Sequence, residues 1–289
     1  MTTQSIPTFP AIAQQPLIAE MTEPIPASFR LAHIFPAHRL FVVIKTPLLI
    51  GVGVYLAGGA PDMLPVVLTM LLGALLWALL YALNEFTDLV YEQGYHGPKA
   101  IYAVLLLAPL PVCLLALLYS RMLCLLFLLM LGSQIAYCVP PLRLKRYWWA
   151  NPLLSGTLNP LFRLQCGAIW GVHPISYLAY AAFVTLHLGS ALRTRLLQRE
   201  RDRQLAYSTV PAVMRYAGML CMAVGFLGIY LLCYQGVLPS PFYFFSTLGV
   251  IFTCYAWFGR VSSIGQLRKG WLLFTIFALC ALAVLLRMH

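Results

Sequence analysis

Apolar runs long enough to cross a bilayer follow one another along almost the whole chain, and they fix its class before any motif is read. About nine of them reach the roughly 20 residues that a membrane-spanning helix needs. They lie near 39–58, 63–84, 99–119, 121–140, 151–171, 174–194, 212–234, 241–259 and 270–287. Hydrophobic residues make up 61% of the 289 positions and charged residues only 9%, and no water-soluble globule can bury that much apolar surface. The expected fold is an all-α polytopic membrane protein of about nine transmembrane helices around a central cavity. Pro47, Pro109, Pro111 and Pro160 interrupt the runs. Bundled membrane helices tolerate this because neighbours satisfy the freed backbone groups.

Residues 1–30 differ from the rest. They are rich in Thr, Gln, Pro and Ala and contain Glu20 and Glu23. No basic stretch precedes an apolar core there, so a cleaved signal peptide is not expected. The reading is a flexible N-terminal tail over 1–30 and a single transmembrane domain over 31–289.

Charge sets the orientation. The net +11 is concentrated in alternate loops. Arg30, Arg39 and Lys45 open the first run, and Lys99 follows the second. Arg143, Lys145 and Arg146 follow the fourth. Arg193, Arg195, Arg199, Arg201, Arg203 and Arg215 separate the sixth from the seventh, and Arg260, Arg268 and Lys269 the eighth from the ninth. The opposite loops hold little beyond Arg121 and Arg287. Positive charge is retained inside, so the N-terminus is expected in the cytoplasm and the C-terminus outside, as in a bacterial inner membrane. Topology explains the basic charge, and no nucleic-acid partner is needed. The eight cysteines form no CxxC, and the histidines, His187 among them, stand apart from one another; neither set has metal-site spacing.

Of eight acidic residues, Glu85, Asp88 and Glu92 close the second run, with Asn84 before them. Asn84, Asp88 and Glu92 are four apart and share a helical face. Hard oxygen donors at the mouth of an apolar bundle suit Mg²⁺; the plainer reading is a polar helix end at the membrane surface. Two loops add cations. In Tyr137–Arg146 the Pro140-Pro141 pair stops the fourth run and aims Arg143 and Lys145 at an anion. In 195–203, Arg195, Arg199 and Arg203 are expected along one helical face. Lipid headgroup contact accounts for both loops equally well.

The order of these motifs resembles the UbiA superfamily of intramembrane prenyltransferases. The family's first motif, N-D-x-x-D-x-x-x-D, is matched by Asn84, Glu85, Asp88 and Glu92. Its Y-x-x-P-P-x-R-L-K exit is matched by Tyr137, Pro140, Pro141, Arg143, Leu144 and Lys145. Glu200, Asp202, Arg203, Thr209 and Pro211 fit the frame of its second acidic motif. That second motif is altered here: Arg195 and Gln198 stand at its first two acids, and Arg201 and Ala206 at its glycines.

The resemblance implies a prenyltransferase that moves an isoprenoid from a prenyl diphosphate to an aromatic or other lipophilic acceptor, with Mg²⁺ as cofactor. It implies metal ligation by Asn84, Glu85, Asp88, Glu92 and Asp202. Asp88, Lys145, Asp202 and Arg195 are the implied catalytic set, with Arg195 or Arg199 replacing one metal ion through phosphate contacts. Asn84, Tyr137, Arg143, Arg163, Arg199 and Arg203 are the implied substrate-binding set. Tyr81, Tyr137 and Phe162 offer aromatic faces to an allylic cation. Arg163, beside Gln165 and after Asn159, lies inside the fifth run, where an arginine must pair or face a polar cavity. Two alternatives stay open: a terpene cyclase without an acceptor, and a non-catalytic isoprenoid-binding relative. The topology is testable by labelling single cysteines in a background without reactive native ones. Positions in 193–215 are expected to label from the cytoplasm and those in 235–240 from outside, and labelling of both from one side would remove the nine-span reading.

Overall fold

The computed structural model describes residues 40–92, 94 and 99–258. The tail over 1–30 and the expected ninth span lie outside these residues. Every described element is helical or a turn: α1 (Leu40–Leu56), α2 (Met63–Glu92), α3 (Lys99–Leu107), α4 (Pro109–Leu117), α5 (Arg121–Cys138), α6 (Asn159–Ala168), α7 (Tyr177–Leu197), α8 (Arg199–Gln204), α9 (Met214–Tyr234) and α10 (Pro241–Phe258). A 3-10 turn spans Leu144–Arg146, and a π-helical stretch, Asn151–Leu158, leads directly into α6. The first eight expected spans therefore fall on helix. Among the described residues, Met63–Glu92, Lys99–Leu117, Arg121–Cys138, Met214–Tyr234 and Pro241–Phe258 are long and apolar enough to cross a membrane. The chain is an integral membrane protein.

The second span ends later than its hydropathy predicts. It continues through the acidic motif to Glu92, giving a helix of 30 residues. At 1.5 Å per residue this is about 45 Å, against roughly 30 Å of hydrocarbon. The surplus, about 15 Å, corresponds in length to the polar end Asn84–Glu92, which stays helical. From Asn84 to Gln93 the sequence holds no Gly or Pro, and Gly94 follows with a φ of 68°. The π-helical stretch has a local cause as well. Pro152 and Pro160 lack amide hydrogens, and Thr157 Oγ1 donates to the Pro152 carbonyl at 3.2 Å.

Two apolar clusters flank α1 and α6. One joins Leu48, Leu49 and Val52 to Leu164 and to Phe183, Met222, Phe226 and Leu232. The other joins Ile50 and Cys166 to Trp77, Leu80, Leu123 and Phe127. Lipid supplies no hydrophobic force between helices, so association depends on close packing and small residues. Gly53 and Gly167 provide it here: a side chain on Gly53 would meet the Leu164 carbonyl, and one on Gly167 the Ile50 carbonyl. Gly189, Gly218, Gly225 and Gly228 do the same between α7 and α9 or their neighbours. Leu64, Leu71, Leu114, Leu118, Leu220 and Leu227 are exposed on the outer faces, as lipid contact requires.

Gly167→Val places branched carbons against α1 backbone, which cannot yield as a side chain end can. The expected cost is at the upper end of the 1–3 kcal/mol typical of overpacking, roughly 3 kcal/mol. Thermal unfolding in detergent checks it, with the exposed Gly132→Ala, where nothing crowds the added carbon, as the unperturbed comparison.

Candidate functional site

The protruding end of α2 meets the α5–α6 loop and α8. Glu92 is the meeting point. Its carboxylate accepts from Arg143 Nη2 at 3.4 Å and from the Tyr207 hydroxyl at 3.0 Å. It pairs with Lys145 Nζ at 3.0 Å and closely with Arg201. Asp88, one turn back, pairs with Lys145 and lies 3.9 Å from Arg201 Nη2. The i, i+4 register thus presents both carboxylates to the same cations.

Local backbone geometry delivers these cations. Arg143 adopts the left-handed region, φ 38° and ψ 53°, turning the chain sharply after the two prolines. Its guanidinium lies over the Tyr91 and Tyr207 rings, 4.9 and 5.7 Å from their centroids. Ala206 is also left-handed, with φ 53°, and this bend returns Tyr207 toward Glu92. The two loops are sewn together by Ser208: its amide donates to the Arg146 carbonyl at 2.9 Å, and its hydroxyl accepts from the Trp148 amide at 2.7 Å.

Arg195 is buried and has partners of its own. Nη1 donates to Asp202 Oδ1 at 3.2 Å, and Nη2 donates to the carbonyls of Lys145 at 2.5 Å and Tyr147 at 3.2 Å. It thereby fixes the loop that carries Lys145. Tyr137 lies within electrostatic range of Arg195, Asp202 and Tyr81. Burial, then Arg201, draws the Lys145 ammonium down to about 7, against a raising pull from Glu85 and with a further lowering by Arg195. Burial holds the Asp202 carboxyl above the usual carboxylate range, opposed by Arg195 and Arg201. Burial and Glu92 together raise the Tyr207 phenol.

The single face expected for Arg195, Arg199 and Arg203 is not formed. The helix breaks at Gln198 and restarts at Arg199, so the three no longer share a register. Arg203 pairs with Glu200 at 3.0 Å on the surface, apart from the carboxylates of α2. Arg199 is half-buried, with its Nε lacking a hydrogen-bond partner. Arg163 belongs to a deeper group: its guanidinium lies 3.9 Å from the Trp77 ring centroid, with Lys45 and His187 in electrostatic range. Nearby, Gln165 accepts from the Tyr180 hydroxyl and Asn159 from Ser133. Sequence reasoning gave no role to Arg201 or Tyr207. Arg201 carried a signal, since a bulky cation stood where the resembling pattern has glycine; Tyr207 carried none.

The donors fit one hard cation better than several. Among the described residues no three Asp, Glu, His or Cys side chains converge as a metal-binding group. Asn84 Oδ1 is nevertheless buried without a hydrogen-bond partner, one turn from Asp88. Mg²⁺ uses one or two carboxylates and fills its shell with water and phosphate oxygens, so Asn84, Asp88 and Glu92 suffice for one ion. Asp202 Oδ1 is engaged by Arg195, while its Oδ2 is buried without a hydrogen-bond partner.

Fold and site together define an all-helical membrane protein with an acidic mouth faced by basic loops. That fold is shared with a UbiA homolog from Archaeoglobus fulgidus. Its structure with DMAPP and Mg²⁺ is 14% identical over 88% of this chain and 99% of that one, with a TM-score of 0.63. Its complex with GPP and Mg²⁺ gives 14% identity, the same coverages and a TM-score of 0.61. Its Cd²⁺-bound form gives 15%, 88% and 98%, and 0.61. Neither a family model nor a curated protein matches the chain.

Arg195→Ala strands the buried Asp202 carboxylate and two carbonyls. Breaking such a buried pair typically costs about 3–5 kcal/mol. The variant is expected to unfold well below the parent in detergent, whereas Arg203→Ala, at an exposed pair, leaves the transition within about 0.5 kcal/mol.

Proposed function

We propose that the chain is an intramembrane prenyltransferase that takes an isoprenoid from a prenyl diphosphate and joins it to an aromatic or other lipophilic acceptor. The observation that carries this reading is the juxtaposition of the Asn84–Asp88–Glu92 face with Arg143 and Lys145, in a fold shared with a UbiA homolog bound to DMAPP or GPP and Mg²⁺. In this reading Asn84, Asp88 and Glu92 hold the metal, with Glu85 beside them and Asp202 held through one oxygen by Arg195. Bound Mg²⁺ would neutralise charge on the leaving diphosphate. Arg143 and Lys145 bind its remaining oxygens. Arg195 acts through Lys145, by holding the loop. Arg163 and Trp77 lie deeper, where the acceptor or the isoprenoid enters, and apolar helices keep water from the allylic cation. The acidic mouth opens to the cytoplasm by the distribution of basic residues, in a bacterial inner membrane.

A second reading has its own support. The α2 carboxylates are already paired with Arg143, Lys145 and Arg201, which suits a relative that binds isoprenoid lipid without catalysis. Diphosphate release from farnesyl and geranylgeranyl diphosphate, with Mg²⁺ and with or without extracted lipids, separates the two. Release is expected from the parent chain. Asp88→Asn and Glu92→Gln are each expected to slow it about a hundredfold, equivalent to roughly 2.7 kcal/mol. A parent chain that binds these diphosphates and releases none is the non-catalytic relative.

A further inference from the structure

Four carboxylates and four cations of the chain's own meet at the mouth: Glu85, Asp88, Glu92 and Asp202 against Arg143, Lys145, Arg195 and Arg201. The group is formally neutral before any ligand arrives. A divalent ion bound by Asp88 and Glu92 must therefore share oxygens that Lys145 and Arg201 already hold, and like charge at such a separation costs more than thermal energy even at the dielectric of a protein surface.

The cations differ in their freedom to leave. The Lys145 side chain is 6% exposed, and its loop is fixed by Arg195. Arg143 is wedged between Tyr91 and Tyr207. Arg201 is 49% exposed, yet it reaches Glu92, which is 5% exposed, and also lies near Asp88. It approaches from solvent, on the short helix α8, and touches the two carboxylates that share the α2 face.

We infer that Arg201 is the resident counter-cation of the Asp88–Glu92 pair, and that the pair takes up a divalent ion in exchange for it. Arg201 swings outward when the ion enters, and the freed guanidinium then faces any phosphate oxygens brought with the ion. Without phosphate the exchange opposes metal binding, so the ligand-free protein holds divalent ions weakly. The inference rests on the prenyl diphosphate reading only for where the ion sits.

The full chain in detergent, without substrate, is titrated with Mn²⁺ while the free-ion paramagnetic resonance signal is followed. Arg201→Gly is expected to bind Mn²⁺ at least about tenfold more tightly than the parent, because one positive charge has left the site. Arg201→Gln keeps the length of the side chain and carries the same expectation should the glycine variant unfold. Arg201→Lys restores the charge and is expected to return to parental affinity, and Arg203→Ala, on the outer surface of the same helix, to match the parent. Equal Mn²⁺ affinity in the parent, Arg201→Gly and Arg201→Gln, including no binding in any of them, overturns the inference. Diphosphate release is measured separately. The predicted Mn²⁺ shift without release rejects the enzymatic reading and leaves the exchange standing.

Discussion

The Glu92 carboxylate is the contact on which the arrangement of the mouth depends. It stands at the end of a rigid helix and gathers groups from two loops that are distant in sequence: Arg143 and Lys145 on one side, Arg201 and Tyr207 on the other. A buried charge that loses its partners is strongly unfavourable. The loops are therefore joined at Glu92 by charge and hydrogen bonds. Arg195 supports the same point from behind, through Asp202 and two backbone carbonyls.

Below the mouth a different constraint governs. Helices in lipid gain nothing by hiding apolar surface from each other, so α1 and α6 meet where Gly53 and Gly167 allow backbone contact. The two constraints are linked through α2. Its apolar part packs into the cluster of Trp77 and Leu80, and its polar end carries Asp88 and Glu92. Packing in the membrane thereby sets the height and direction of the carboxylates above it.

Much of the fold was legible because membrane thickness imposes a length on apolar runs. The spans at 40–56, 214–234 and 241–258 lie close to their expected limits. The end of α2 lies past the hydropathic limit at Asn84, where the helix continues to Glu92 with Phe86 and Thr87 buried and Asp88 and Glu92 ion-paired. The carboxylate face was legible from i, i+4 spacing, and Arg143 and Lys145 from the paired prolines before them. The 195–203 segment misled because spacing assumes an unbroken helix, and past the break at Gln198 Arg203 pairs with Glu200 while Arg201 reaches Glu92. Tyr207 reaches Glu92 only through the bend at Ala206, which residue type does not announce.

Arg195 grips the carbonyls of Lys145 and Tyr147, not their side chains. Every residue except proline offers the same main-chain environment, and even proline keeps the carbonyl. The path of this loop is thus decoupled from the identity of position 147, whose exposed ring stacks on Trp149. Such a surface can drift in sequence, adapting to the headgroups or proteins it meets, without displacing the lysine two residues away. A fixed main-chain path and a permissive exterior then coexist over a span of three residues.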